Sequence, residues 1–230
     1  MLDFEDPRET DPLHRNGYAP YPSTLVVSAP RSGLNLVRHI FESMGLRTPG
    51  KTHLLREGPF VFHRTHWVMS PVITPGKAPL ANTEGEPIYE KVLLLLRDPL
   101  EIFVRAYQKD LQRMGQYCDN LCAYHDFCLP KMLVRYDELV SDDRIFASIC
   151  SFMEVDHDLS AHEIPQLRMR SVSWYQANNA IGGGSQTLGS HAALNHHKQQ
   201  LSRGERADLN RYLHDRLGVL ASTYLGSWLD

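Results

Sequence analysis

From Thr24 to Ala29 the chain reads TLVVSA, apolar at successive rather than alternate positions. A strand with that pattern is buried on both faces, as in a parallel sheet. After the turn PRSG, apolar residues fall at Leu34, Val37, Ile40, Phe41 and Met44, a helical stripe that Gly45 can close at C′. The same unit recurs at Lys91 to Met114. Val92 to Leu96 (VLLLL) is a second fully apolar strand, and Asp98, Pro99 and Glu101 supply an N-cap, a proline at N1 and a capping-box partner. Phe103, Ala106, Tyr107, Leu111 and Met114 then trace one helical face. A third unit is Met132 to Arg135 (MLVR), followed by a helix from about Asp142 to Glu154 with Ile145, Phe146, Ile149, Phe152 and Met153 inside.

Between the first two units, Pro59 to His66 (PFVFHRTH) is a short aromatic and β-branched run. As a strand it puts Phe60, Phe62, Arg64 and His66 on one face and Val61, His63 and Thr65 on the other. Strands alternating with helices predict an α/β fold of three layers, a mostly parallel sheet with helices on both faces. Ligands of such sheets bind beyond the carboxyl ends of the strands. Residues 1–22, punctuated by Pro7, Pro12, Pro20 and Pro22, read as an extended arm. Residues 180–191 (AIGGGSQTLGSH) read as a flexible glycine-rich loop, either a lid or a surface connection. Ser202-Arg203-Gly204-Glu205 is a capping box opening a last helix through Leu209, Tyr212, Leu213 and Leu220.

Composition narrows the function classes. The 230 residues, 42% hydrophobic and 22% charged, suit one globular domain able to fold without disulfides or a structural metal. With a net charge of −3 there is no global basic field to hold nucleic acid or an anionic membrane, so any anion site must be local. No apolar stretch approaches a membrane span, and the acidic start MLDFEDPRETDPLHR is unlike a secretory signal, so a cytoplasmic protein is expected. Cys118, Cys122, His125 and Cys128 lack the paired spacing of a zinc site. Tyr117, Leu121, Tyr124 and Cys128 follow helical spacing instead, which makes the cysteines core or interface residues of a helix.

The chemistry centres on APRSGLN, Ala29 to Asn35. A turn there directs the backbone N–H groups of Ser32 to Asn35 outward at the positive end of a helix, where a phosphate fits. Gly33 permits close approach and Arg31 adds a charge; the alternative is a plain strand-to-helix turn with an exposed arginine. The Walker pattern G-x-x-x-x-G-K-[ST] is absent, which disfavours an ATP-dependent kinase or NTPase.

At this point the chain resembles the sulfotransferases that use 3′-phosphoadenosine 5′-phosphosulfate (PAPS). TLVVSAPRSGLNLVRHIFES looks like their phosphosulfate loop and helix, KVLLLLRDPLEIFVRAY like their strand ending in Arg-Asp-Pro, and MLVRYDELVSDD like their strand ending in Tyr-Glu-Asp-Leu. The resemblance spans about residues 24 to 154 and implies a sheet related to that of nucleotide kinases. It implies that Arg31, Ser32, Gly33, Leu34 and Asn35 hold the 5′-phosphosulfate, that Arg97 holds the 3′-phosphate, and that Tyr136 lies near the adenine. The sequence departs from the family at Leu34, where a hydroxyl residue is usual, and at Leu36, where many soluble members have tryptophan. It also has Arg105 in place of a serine. Arg105 can contact the 3′-phosphate or pair with Glu101 at i,i+4. Lys198 and Arg203 fall near the family's basic segment that closes over the 3′-phosphate.

Many members carry Lys-Thr-His at a strand end, with the histidine as general base. Lys51-Thr52-His53 matches the tripeptide but has no strand before it, whereas Arg64-Thr65-His66 ends one. His66 is therefore favoured as base over His53, with Arg64 as the accompanying charge and Arg31 stabilising the leaving group. The reading is a sulfotransferase acting on a hydroxyl, or an amine, of a small-molecule or glycan acceptor, with no obligatory metal. A phosphoryl-transferring kinase and a non-catalytic binder of adenosine bisphosphates are the alternatives.

Overall fold

The computed structural model describes residues 23–49, 60–68, 80, 87, 89–156, 163–167, 170 and 197–229. The expected N-terminal arm, the glycine-rich loop and the Lys51-Thr52-His53 tripeptide lie outside them.

Among the described residues, four strands form one parallel sheet: β1 (Thr24–Ser28), β2 (His63–Thr65), β3 (Lys91–Leu96) and β4 (Lys131–Arg135), in the order β2-β1-β3-β4. The register sets Val26 beside Arg64 and Leu93, and Leu95 beside Val134. Successive strand residues feed opposite cores, which is why neither β1 nor β3 shows polar alternation. Leu25, Val27, Val92, Leu94 and Leu96 enter one apolar cluster; Val26, Leu93, Leu95 and Val134 enter the other.

Helices cover both faces. On the first lie α2 (Pro99–Arg105), α3 (Leu111–Asp126) and α6 (Arg203–Leu217), through Leu100, Met114, Leu121, Leu209 and Leu213. On the second lie α1 (Leu34–Ser43), α4 (Tyr136–Ser141) and α5 (Arg144–Phe152), through Val37, Ile40, Leu139, Phe146 and Ile149. The chain ends in a π-helical turn (Ala221–Leu225) and α7 (Gly226–Leu229).

Helix α1 stops where its sequence says. Gly45 adopts φ +87°, its N–H bonds the Glu42 carbonyl at 3.1 Å and the Leu46 N–H bonds Phe41 at 3.0 Å, the paired bonds of a Schellman end. The stripe from Phe103 to Met114, read as one helix, is two. The chain turns through positive φ at Gln108 and Lys109, and Asp110 opens α3 by accepting from the Gln112 and Arg113 N–H groups. Both pieces cover the same cluster, so apolar periodicity carries across the break without marking it. Helix α4 was not anticipated at all. It is six residues long and buries only Leu139, too little for a helical stripe.

Because β1 leads to β2 on one side and β3 to β4 on the other, the connections leaving the two central strands diverge. By the general rule for open parallel sheets, that divergence marks the carboxyl edge between β1 and β3 as the crevice where a ligand is expected.

Candidate functional site

The loop after β1 fills one wall of the crevice. Gly33 sits at φ +100°, and a Cβ there would meet Leu139 Cδ2 at 2.5 Å and Tyr136 Cδ2 at 3.1 Å. Glycine is thus required by its backbone and by α4 packed over it. The Ser32 N–H, expected to face a ligand, instead bonds the Ala29 carbonyl at 3.2 Å. The outward donors are narrowed to the N-terminal amides of α1, including those of Leu34 and Asn35, which have no intrahelical acceptor. The Ser32 hydroxyl is buried, and its Oγ has no hydrogen-bond partner among the described residues. A buried hydroxyl left in that state is one an anionic ligand can satisfy. Leu34 and Leu36 are both buried in the second cluster, so neither side chain is offered to a ligand. The Asn35 Oδ1 accepts from Arg38 at 3.3 Å, leaving the amide nitrogen as its available donor.

Arg97, the residue after β3, forms the other wall and is 3% exposed. Its NH1 donates to the Arg31 carbonyl at 2.8 Å, and its guanidinium lies 4.0 Å over the Tyr136 ring. Tyr136, expected beside an adenine, therefore has one ring face taken by Arg97. Burial pushes the Arg97 guanidinium below its ordinary pKa, Arg105 adds to the fall, and Tyr136, Glu101 and Asp98 oppose it. A guanidinium desolvated by burial beside a second arginine is a place where an anion can stabilise the charge, part of which Glu101 and Asp98 already balance. Among the described residues no carboxylate pairs with Arg105. Glu101 lies 3.9 Å from Arg97 and 3.5 Å from His197.

Glu101 is not a capping-box partner either, because its Oε1 accepts from the Lys198 backbone N–H at 2.8 Å. Asp98 does cap α2, accepting from the Leu100 N–H at 2.9 Å, and also binds the Lys198 ammonium at 3.0 Å. Lys198, on a 3₁₀ turn (His197–Gln200), is thereby brought to the β3 corner with its charge engaged. Arg203 is exposed at the start of α6.

His66 follows β2 and reaches the end of β1. Its Nδ1 lies 2.7 Å from the Ser28 carbonyl, two residues before Pro30 and the loop. A carbonyl only accepts, so Nδ1 carries the proton and the lone pair is on Nε2. Arg64 NH1 sits 3.1 Å from that nitrogen and donates to it. Burial lowers the pKa of Arg64, and no carboxylate pairs with it among the described residues. The imidazole can take a proton from an acceptor only once Arg64 has turned aside.

Two side chains at this site were missed by sequence reasoning, Asp119 and Asn120 of α3. Asn120 bonds the His66 carbonyl and the Val68 N–H, both at 2.9 Å, and Asp119 accepts from the Trp67 indole N–H at 3.0 Å. Polar residues within an apolar helical face were the available signal. Cys118 is buried in α3, Cys122 half-buried and Cys128 exposed past its end; all are free thiols. Burial pushes the Cys118 thiol up to about 12. No cluster of metal-ligating side chains and no helix able to cross a membrane occurs among the described residues.

Comparison with models of known protein families and with curated proteins finds no match to this chain.

Proposed function

We propose that the protein is a sulfotransferase on a nucleotide-kinase-like fold, moving a sulfuryl group from PAPS to an acceptor hydroxyl. One observation carries the reading: the loop Arg31 to Asn35, Arg97 and His66, distant in sequence, meet at one crevice. The bonds from Arg97 to the Arg31 carbonyl and from His66 to the Ser28 carbonyl join them. In this reading the α1 amides, Ser32 and Arg31 hold the phosphosulfate, and Arg97 with Arg105 holds the 3′-phosphate. PAPS supplies an activated sulfur. The acceptor oxygen bonds to it as the bond to the phosphate oxygen breaks, and the acceptor proton goes to His66 Nε2. Charge developing on the departing phosphate falls beside Arg31. The residues fit such a ligand: an orphaned buried hydroxyl and two mutually repelling arginines are groups that an anion relieves.

The test is thermal stabilisation by 3′-phosphoadenosine 5′-phosphate against Mg-ATP. A ligand at a hundred times its Kd adds about 2.7 kcal/mol to apparent stability. Greater stabilisation by Mg-ATP would falsify the assignment and favour a kinase. With nucleotide binding in hand, His66→Ala abolishes labelled-sulfate transfer and His53→Ala does not; the reverse moves the base to His53. The Arg64 N–H lying on the lone pair of the base supports a second reading, a non-catalytic binder of adenosine bisphosphates. Nucleotide stabilisation without transfer to any of a broad acceptor panel is its signature.

A further inference from the structure

The geometry points to Asn120, supported by Asp119, as a positioning residue that fixes the tautomer of His66. The inference rests on the reading of His66 as the base. His66 lies just past β2, where sheet hydrogen bonds no longer guide the chain, and α3 takes over. The Asn120 Nδ2 donates to the His66 carbonyl and its Oδ1 accepts from the Val68 N–H, so one side chain holds the peptide groups on both sides of Trp67. Its orientation is not open to a flip, because a carbonyl can only accept and an N–H only donate. Asn120 is 2% exposed and Val68 is buried, so losing the bond to the Val68 N–H leaves a buried donor without a partner. Asp119 adds a second hold through the Trp67 indole, and is itself held by Arg216 of α6 at 2.8 Å.

Helix α3 is packed on the sheet through Met114, Tyr117, Cys118 and Leu121. The clamp therefore refers the His66 backbone to the rigid core. With its carbonyl held on α3, the residue turns its ring to β1 and places Nδ1–H on the Ser28 carbonyl. Only one of the two neutral tautomers can make that bond, and it is the one whose lone pair is on Nε2. Released from the clamp, the ring loses the Ser28 part of this bias and keeps only the Arg64 N–H donated to Nε2. The other tautomer carries its proton on Nε2 and cannot act there as a base.

Asn120→Asp keeps the acceptor for Val68 and sets an oxygen against the His66 carbonyl. The tautomer is read in the full-length ¹⁵N-labelled protein from two-bond imidazole spectra, with His66→Gln giving the assignment. The wild type is expected as the Nδ1–H form, with the Nε2–H population rising several-fold in Asn120→Asp. Transfer kcat is expected to fall about 100-fold, with the PAPS KM changing less than about twofold because the loop is untouched. A general loss of stability would not change the tautomer of the folded fraction. Should Asn120→Asp not fold, Trp67→Phe, which removes the indole donor to Asp119 together with part of the ring and leaves Asn120 in place, is expected to move the tautomer in the same direction. An unchanged tautomer in the folded variants overturns the inference. A shifted tautomer in a chain whose wild type transfers no sulfate upholds the clamp and removes the sulfotransferase reading instead.

Discussion

At the scale of single residues, two positions separate the demands of folding from those of the proposed ligand site. Gly33 is required twice over, by φ +100° and by Leu139 Cδ2 lying 2.5 Å from where a Cβ would stand. Gly33→Ala is expected to cost about 1–3 kcal/mol from backbone strain alone, read as a lower urea midpoint, and to abolish stabilisation by 3′-phosphoadenosine 5′-phosphate. Arg105 is the opposite case. It stands close enough to Arg97 to depress its pKa, without a carboxylate of its own among the described residues. Arg105→Gln should therefore leave ligand-free stability within about 0.5 kcal/mol while weakening nucleotide stabilisation. Wild-type stabilisation in that variant would remove Arg105 from the proposed anion site. Gly33 was legible in the sequence because a turn between a buried strand and a helix has few chemical solutions, whereas Arg97 was singled out through the family resemblance. Asn120 was not, since its partners lie 52 and 54 residues away. An asparagine on an apolar helical face gives no hint of which backbone it serves.

At the scale of elements, legibility followed local chemistry. The Gly45 end of α1 and the Ser202 start of α6 were read correctly because a Schellman end and a capping box are written in adjacent residues. The break between α2 and α3 is made by Gln108 and Lys109 at positive φ, a conformation such residues rarely announce. The Ser202 cap offers a measurable test. Ser202→Ala removes the acceptor of the Glu205 N–H and should cost about 1 kcal/mol in thermal or urea unfolding. Glu205, held by the Lys109 ammonium and the Ser202 cap, has its carboxyl pulled down from 4.5 to about 2. Between those values the unfolded chain binds more protons than the folded one, so stability rises with pH. The contribution is complete above about pH 4.5 and is lost as pH falls toward 2. Glu205→Gln should flatten that part of the acid limb, and salt should shrink the difference because the pair is partly exposed. An acid limb unchanged in Glu205→Gln counts against the pair.

For the whole molecule, sheet order couples stability to the site. Strands β1 and β3 each pair on both sides, and their side chains are shared between the two apolar clusters, so neither strand can open without exposing both cores. Strand β2 is held by three residues paired with β1 and by the Asn120 clamp beyond its end. Local opening draws on such weakly held segments, whereas doubly flanked strands exchange only with global unfolding. Hydrogen exchange should therefore be slowest in residues 24–28 and 91–96 and measurably faster in 63–65. The crevice lies at the carboxyl ends of the slow strands, so a nucleotide bound there adds its linkage energy to the global transition. At a hundred times its Kd, exchange in β1 and β3 should slow by about 100-fold. The β2 amides should slow as much only if the ligand also engages His66 and prevents local opening. Matching protection of β2 by nucleotide alone would place His66 against the bound donor. Slowing confined to β1 and β3 would mean that the acceptor, or the clamp, closes that side of the site.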